Sequence, residues 1–429
     1  MLTEKAQADG GMPLRAVPWS QQSSYCWVIL TVLWIAYILS YMDRLAWANV
    51  AVTAAASLGL TVATLGSFIT AFYIGYITAN AFGGFLTDLL GGRLVVSLAL
   101  IPLGIFTFLF GRTTSILYGL VIQAVMGVAA GADYAASIKL IAGWFGVKNR
   151  GRAMGLYLTG TSFGVMLTNA IVPTFLKFFG WNGAYYVLGI ITTAFGITCF
   201  IFLRNPTSAA SNKQAKPNFH LLLRNRDLRF LAAAGFGGYW GAWGFAFWAN
   251  ALMIKGYHLS IVQAGVATAL FGIGAIIGKP SMGLLCDLLG GIRRVPAIGC
   301  LLGFSASLLV FGCMHDYKSF LIVAPFLGLT SFTYTPLLAS SIVEAAGQEL
   351  AGSATGLTNM MWQLGNVIVP LVVGAAFQRT HSFFTAFAIL AAGPVVGALA
   401  MFFVTDKVAS TKSGRTPGTP VQAAAGKNN

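Results

Sequence analysis

Gly84-Phe85-Leu86-Thr87-Asp88-Leu89-Leu90-Gly91-Gly92-Arg93 recurs further along the chain as Gly283-Leu284-Leu285-Cys286-Asp287-Leu288-Leu289-Gly290-Gly291, followed by Arg293 and Arg294, at an offset of 199 residues. Each copy interrupts an apolar run of more than 20 residues and is followed by another. A weaker echo links Asn169-Ala170-Ile171-Val172-Pro173 to Asn366-Val367-Ile368-Val369-Pro370. Self-similarity at a separation close to half the chain implies two structurally related halves.

Between the repeats the sequence is almost continuously apolar. Of 429 residues 57% are hydrophobic and only 9% charged, too few charges to cover the surface of a soluble protein of this length. A span needs about 20 apolar residues to cross a hydrocarbon core. Twelve stretches satisfy this, near 26–50, 63–88, 93–111, 114–142, 152–176, 183–203, 229–254, 261–286, 294–314, 317–342, 351–377 and 383–405. The expected architecture is therefore an all-α polytopic membrane protein, with a tail at 1–23, a six-helix bundle at 24–203, a central loop at 204–228, a second, pseudo-symmetric six-helix bundle at 229–405 and a polar tail at 406–429. Within the loop, Phe219 to Arg229 mixes Leu with Arg, as a short interfacial helix or a basic linker would. The N-terminal tail lacks the order of basic, apolar and cleavage segments of a signal peptide.

The net charge of +15 is an orientation signal. With both termini inside, the inner segments hold 18 Lys and Arg against 5 outside, as the positive-inside rule requires of a cytoplasmic-membrane protein. Basic residues scattered between spans do not form a nucleic-acid-binding face. The five cysteines lie in or beside apolar stretches without metal-ligand spacing. Glu, His and Cys do not cluster at membrane depth, so neither a metal site, a cofactor nor an enzyme's nucleophilic triad is expected.

The doubled Gly-x-x-x-Asp-x-x-Gly-x-Arg pattern resembles the loop signature of the major facilitator superfamily over residues 24–405, departing from it at Leu89 and Leu288, where a basic residue usually follows the Asp. The resemblance implies alternating access, with Gly84, Asp88, Arg93, Gly283, Asp287 and Arg293 in the loops that hold the inward gate closed. Tyr41-Met42-Asp43-Arg44 in the first span is similar to the anion:cation symporter branch, which implies proton titration by Asp43 and a substrate carboxylate on Arg44. A carboxylate held next to a guanidinium suits both roles. In the fourth span the branch's charged positions read Gln123 and Ala130; Asp133, one turn beyond, is a candidate second proton site or a structural hydrogen-bonding residue. Lys279-Pro280 in the eighth span is similar to oxalate:formate-type antiporters, which implies that Lys279 binds a substrate carboxylate. Lys139 lies where snorkelling to the interface is the simplest account.

Ionisable residues at membrane depth are functional candidates by default, because burying a charge is costly. Arg44, Lys279 and Lys139 stand against Asp43 and Asp133, leaving a small positive excess for an anion to neutralise. Tyr73, Tyr76, Trp243, Asn359, Trp362 and Gln363 complete the candidate substrate contacts. Aromatics outnumber amides among them, which favours an acid with an apolar or aromatic body over a heavily hydroxylated sugar. The expected function is proton-coupled symport of a small organic anion, a monocarboxylate or an aromatic or sugar acid, by a monomer in the lipid bilayer. Exchange of the oxalate:formate type and proton-coupled drug efflux are the alternatives.

Overall fold

The computed structural model describes residues 24–145, 147–205, 219–288, 293–346 and 350–405. The described secondary structure is helical, in chain order α1 (Tyr25–Leu58), α2 (Val62–Leu90), α3 (Gly92–Phe110), α4 (Ile116–Gly131), α5 (Asp133–Trp144), α6 (Val147–Phe202), α7 (Phe219–Arg224), α8 (Arg226–Tyr257), α9 (Ile261–Leu288), α10 (Arg294–Gly312), α11 (Tyr317–Ser331), α12 (Tyr334–Ala346), α13 (Ala351–Thr380) and α14 (Phe383–Met401). Among the described residues nine helices or joined helix pairs are long and apolar enough to cross a membrane. The tail expectations for 1–23 and 406–429 lie outside the described residues.

Three departures from the expected spans have local causes. The fifth and sixth spans run together as α6, turning only at Gly180, whose φ of 69° suits a residue without Cβ. The fourth span divides into α4 and α5, with Asp133 in the first turn of α5, where a carboxylate complements the exposed N–H groups of a helix start. The tenth divides in the same way into α11 and α12 after Ser331. In the central loop α7 covers only Phe219–Arg224, and α8 starts at Arg226, where the Asn225 side chain caps the N–H groups of Asp227 and Leu228.

The 199-residue repeat is legible in the packing. Gly75 on α2 lies against the Ala124 carbonyl of α4, and a Cβ there would sit 2.0 Å from that oxygen. Gly274 on α9, 199 residues later, lies against the Pro325 carbonyl of α11, also at 2.0 Å. Small residues let helix backbones approach where hydrophobic burial alone drives little association. Leu98, Ile105, Val121, Ile190, Ile322 and Phe326 point outward and are exposed, the arrangement for lipid rather than water as surrounding solvent.

The two halves meet along repeat-related seams. Gly66 on α2 abuts the Pro370 carbonyl of α13, and Gly265 on α9 abuts Pro173 and the Asn169 carbonyl of α6. Polar contacts join the halves at the same end of the bundle. Asn250 of α8 donates to Asn49 of α1 and Asn169 of α6, each at 2.8 Å, Asn49 donates to Asn169 at 3.1 Å, and Thr268 of α9 donates to Asn250 at 2.7 Å. All four side chains are buried, so the cluster satisfies its own amides away from water.

Candidate substrate and ion sites

Successive residues of a helix point about 100° apart, and α1 uses this to separate two neighbours. Arg44 faces α2, its guanidinium carbon 4.3 Å from the Tyr41 ring centre, 4.4 Å from Tyr76, 5.5 Å from Phe72 and 5.8 Å from Tyr73. Asp43 faces the other way, toward Thr107 of α3 and Thr192 of α6. The expected Asp43–Arg44 ion pair is not formed: among the described residues both carboxylate oxygens of Asp43 lack a hydrogen-bond partner, and Arg44 has no carboxylate within ion-pair distance.

Arg44 is only 7% exposed. A desolvated guanidinium over an aromatic face gains about 0.5–2 kcal/mol per favourable ring, which holds the cation in place while its Nε has no partner among the described residues. Arg44 Nε, the Tyr73 hydroxyl and Trp243 Nε1 are all buried without a partner among the described residues. All three can donate, and two can do nothing else. A ligand rich in acceptor oxygens complements them. Asp133 lies within electrostatic reach of Arg44; one of its oxygens accepts from Ser137 at 3.2 Å and the other has no partner.

An aromatic chain leads from Arg44 into the second half. Tyr41 stacks on Trp243 of α8 at 5.6 Å, and Trp243 meets Phe332, at the α11–α12 break, edge-on at 5.6 Å. Lys279 Nζ sits 4.8 Å from the centre of the Phe332 ring and donates to Thr161 of α6 at 2.6 Å. The second-half cation thus reaches across the seam. Pro280, following it, removes one intrahelical hydrogen bond.

The remaining candidates on α13 make no described hydrogen bond or ring contact to Arg44 or Lys279; Trp362 reaches the aromatic chain through Tyr239, whose ring centre lies 5.5 Å from Trp362 and 6.3 Å from Trp243. Trp362 donates to the Leu231 carbonyl at 3.2 Å and packs on Tyr239 and Gly235 within the second half. Gln363 accepts from Asn366 at 2.5 Å, and Asn359 is half-buried. Sequence reasoning quoted Tyr41 in the Tyr41–Arg44 motif without giving it a contact, and missed Phe332 and Thr161. Tyr41 had a signal, since it lies three residues before Arg44 on the same helix face; Phe332 and Thr161 are distant in sequence from the cations they serve.

The gate residues are placed as far as they are described. Gly84 and Asp88 lie near the end of α2, Gly283 and Asp287 near the end of α9; their side chains lie outside the described residues. Gly91 takes φ 82° and meets the Asn205 side chain, so a Cβ there is both strained and crowded. Arg93 donates from Nε to the Phe200 carbonyl at 2.9 Å and from its backbone N–H to Asn205 at 3.0 Å, tying α3 to the end of α6. Arg293 pairs with Glu344 of α12. Lys139, expected to snorkel, donates to the Thr87 carbonyl at 3.3 Å, where a cation complements the last turn of α2.

The family model described as Major Facilitator Superfamily matches residues 33–370 and 231–427. A protein described as a probable sulfoacetate transporter from Cupriavidus necator is 25% identical, over 88% of this chain and 93% of its own length. One described as a probable galactarate/D-glucarate transporter from Escherichia coli K12 is 21% identical, over 89% and 95%. Among solved structures, a bacterial homologue of the human lysosomal transporter Spinster, inward-facing and occupied, superposes with a TM-score of 0.75 at 15% identity, covering 92% of this chain and all of that one. A D-xylose-proton symporter gives 0.74 at 15%, covering 90% and 99%. These two likenesses concern the fold.

Proposed function

The chain belongs to the major facilitator superfamily, and we propose that within it this protein is a proton-coupled symporter of a small organic anion. The carrying observation is Arg44: a buried guanidinium caged by Tyr41, Phe72, Tyr73 and Tyr76, with Nε unpartnered and no carboxylate at ion-pair distance among the described residues. A permanent cation held in a low-dielectric site by ring faces keeps Nε, at the least, for an acid group, and a guanidinium is built to meet such a group with paired donors. The Tyr73 hydroxyl and Trp243 N–H add donors, Tyr76 and the Tyr41–Trp243 stack offer apolar faces for the substrate body, and Lys279 supplies a second cation from the other half. The names of relatives that handle sulfoacetate and galactarate or D-glucarate agree with an organic acid as cargo. Asp43 and Asp133 carry the coupled protons.

In this reading, joining α4 to α5 and α11 to α12 and dividing α6 at Gly180 gives twelve crossings. Both termini face the cytoplasm of a bacterial inner membrane, and the monomer is the transporting unit. The asparagine cluster then closes the outer side, and substrate exchanges with the inside until the halves rock about Arg44 and Lys279. A cationic drug is a poor cargo for a site with two cations.

Uptake of radiolabelled carboxylates and sulfonates into proteoliposomes tests this. The wild type accumulates at least one of them when a pH gradient is imposed. Arg44→Ala together with Lys279→Ala is expected to lower that uptake by 100-fold or more, on the order of 3 kcal/mol. Full uptake by the double variant of every acid the wild type carries overturns the site; accumulation indifferent to the pH gradient overturns proton coupling.

A further inference from the structure

Thr87, Thr168 and Thr358 are buried helical threonines, and each donates its hydroxyl to a carbonyl one turn back, at 2.6–2.8 Å. That local bond is the ordinary way for a threonine to satisfy itself inside a helix. Thr107 on α3 and Thr192 on α6 depart from it. Both are at most 1% exposed and neither hydroxyl has a partner among the described residues. What they share is Asp43, whose carboxylate they face from two different helices.

Asp43 is 1% exposed and both its oxygens are unpartnered. Tyr185 of α6, with its hydroxyl also unpartnered, lies within electrostatic reach of Asp43 and faces Gln123 of α4. Among the described residues the groups that α3 and α6 bring to the carboxylate are Thr107, Thr192 and, at longer range, Tyr185, and none of them is a cation. The Thr107 and Thr192 hydroxyls therefore approach the Asp43 carboxylate inside the first half, with Tyr185 in electrostatic reach, and among the described residues no well-formed hydrogen bond uses up their oxygens. An ionised carboxylate buried in this way without compensation is prohibitively unfavourable. Oxygen donors around one carboxylate are instead the chemistry that accepts a small hard cation.

We propose that Asp43, Thr107 and Thr192 form a pocket that takes up one monovalent cation per transport cycle, walled off from the substrate site at Arg44. The pocket rests on the symport reading above and adds to it two positioning residues, a location and a route of coupling. When the cation is a proton, one O–H bond forms on the Asp43 carboxylate and breaks on release, and the threonine hydroxyls turn to accept from the acid or donate to the carboxylate. Na+ meets the same oxygens by coordination. Coupling runs through α1, which packs its Asp43 face on α3 and α6 and its Arg44 face on the α2 tyrosines. The state of one face then biases how α1 sits against the other.

The test compares the full chain with Thr107→Val/Thr192→Val and Thr107→Ser/Thr192→Ser in proteoliposomes. Two quantities are read: accumulation driven by a pH gradient or, separately, by a Na+ gradient, and counterflow of the same acid with no gradient. The valine pair is expected to lose at least tenfold in gradient-driven accumulation while counterflow and its KM stay within about twofold, and the serine pair to recover most of the loss. The gradient that works in the wild type identifies the cation. Wild-type accumulation by the valine pair overturns the pocket, as does equal loss of counterflow and accumulation in both pairs, which marks a structural role. A second measurement needs no substrate: the unfolding temperature of purified protein is followed against pH and against NaCl at constant ionic strength. Wild type gains stability from the bound cation and Asp43→Asn loses that dependence; identical dependence in the two overturns the pocket. Loss of all acid transport by the wild type, with this dependence present, overturns the cargo and leaves the pocket standing.

Discussion

The two seams between the halves are built on one plan and finished differently. On one, Gly66 lets α2 approach the Pro370 carbonyl of α13; on the other, Gly265, 199 residues later, lets α9 approach Pro173 of α6. The polar content is not repeated. The α6–α9 seam carries Asn169 in the cluster with Asn49, Asn250 and Thr268, and further along it Lys279 reaches Thr161. Among the described residues the α2–α13 seam has one hydroxyl bond, from Thr70 to the Val367 carbonyl at 2.7 Å, and its echo of Asn169, Asn366, bonds Gln363 of its own helix. Repetition thus fixed the backbone crossings, while the specific polar contacts were invested in one seam. The seam that holds Lys279 is the one expected to sense the substrate.

Breaking the common plan has the largest expected effect. Gly66→Ala places a Cβ 2.3 Å from a backbone oxygen, which cannot yield as a side chain could, so the helices must separate. Transport is expected to fall at least tenfold, with cysteines introduced near the Leu58 end of α1 and the Tyr257 end of α8 labelled faster by a thiol reagent; unchanged labelling and uptake refute the seam. Breaking the polar difference comes next. Asn250→Leu leaves Asn49, Asn169 and Thr268 short of partners, at about 1–3 kcal/mol, and is expected to lower the unfolding temperature and bias labelling in the same direction. A variant as stable as wild type and equally labelled would show that the amides do not hold this end. Thr70→Val, on the simpler seam, removes one hydroxyl bond and should cost about 1 kcal/mol or less, with uptake within twofold. If it matched Asn250→Leu, the contrast between the seams would disappear.

Much of this was legible in the chain. The doubled Gly84–Arg93 motif announced two related halves, and the apolar runs located the helices to within a few residues, because lipid allows few ways to satisfy a backbone. The breaks in the fourth and tenth spans were not legible. Each needs only one or two residues to leave the helix, and hydropathy is indifferent to that. Of the candidate site, Arg44, Tyr73, Tyr76 and Trp243 fall into one cluster with Lys279 at its far end, while Trp362 turns to its own half for a carbonyl. Composition could not separate these aromatics, since an indole that stacks on a partner half and one that caps a backbone carbonyl read alike in sequence.

By itself, then, the sequence determined solvent, helical class, internal repetition and the identity of the few charges at membrane depth, all consequences of counting apolar and polar residues along one dimension. Tertiary structure decided what those charges face. Asp43 and Arg44 are adjacent in the chain and read as a pair, but a helix turns about 100° between them. That rotation sends one toward the hydroxyls of α3 and α6 and the other into the tyrosines of α2.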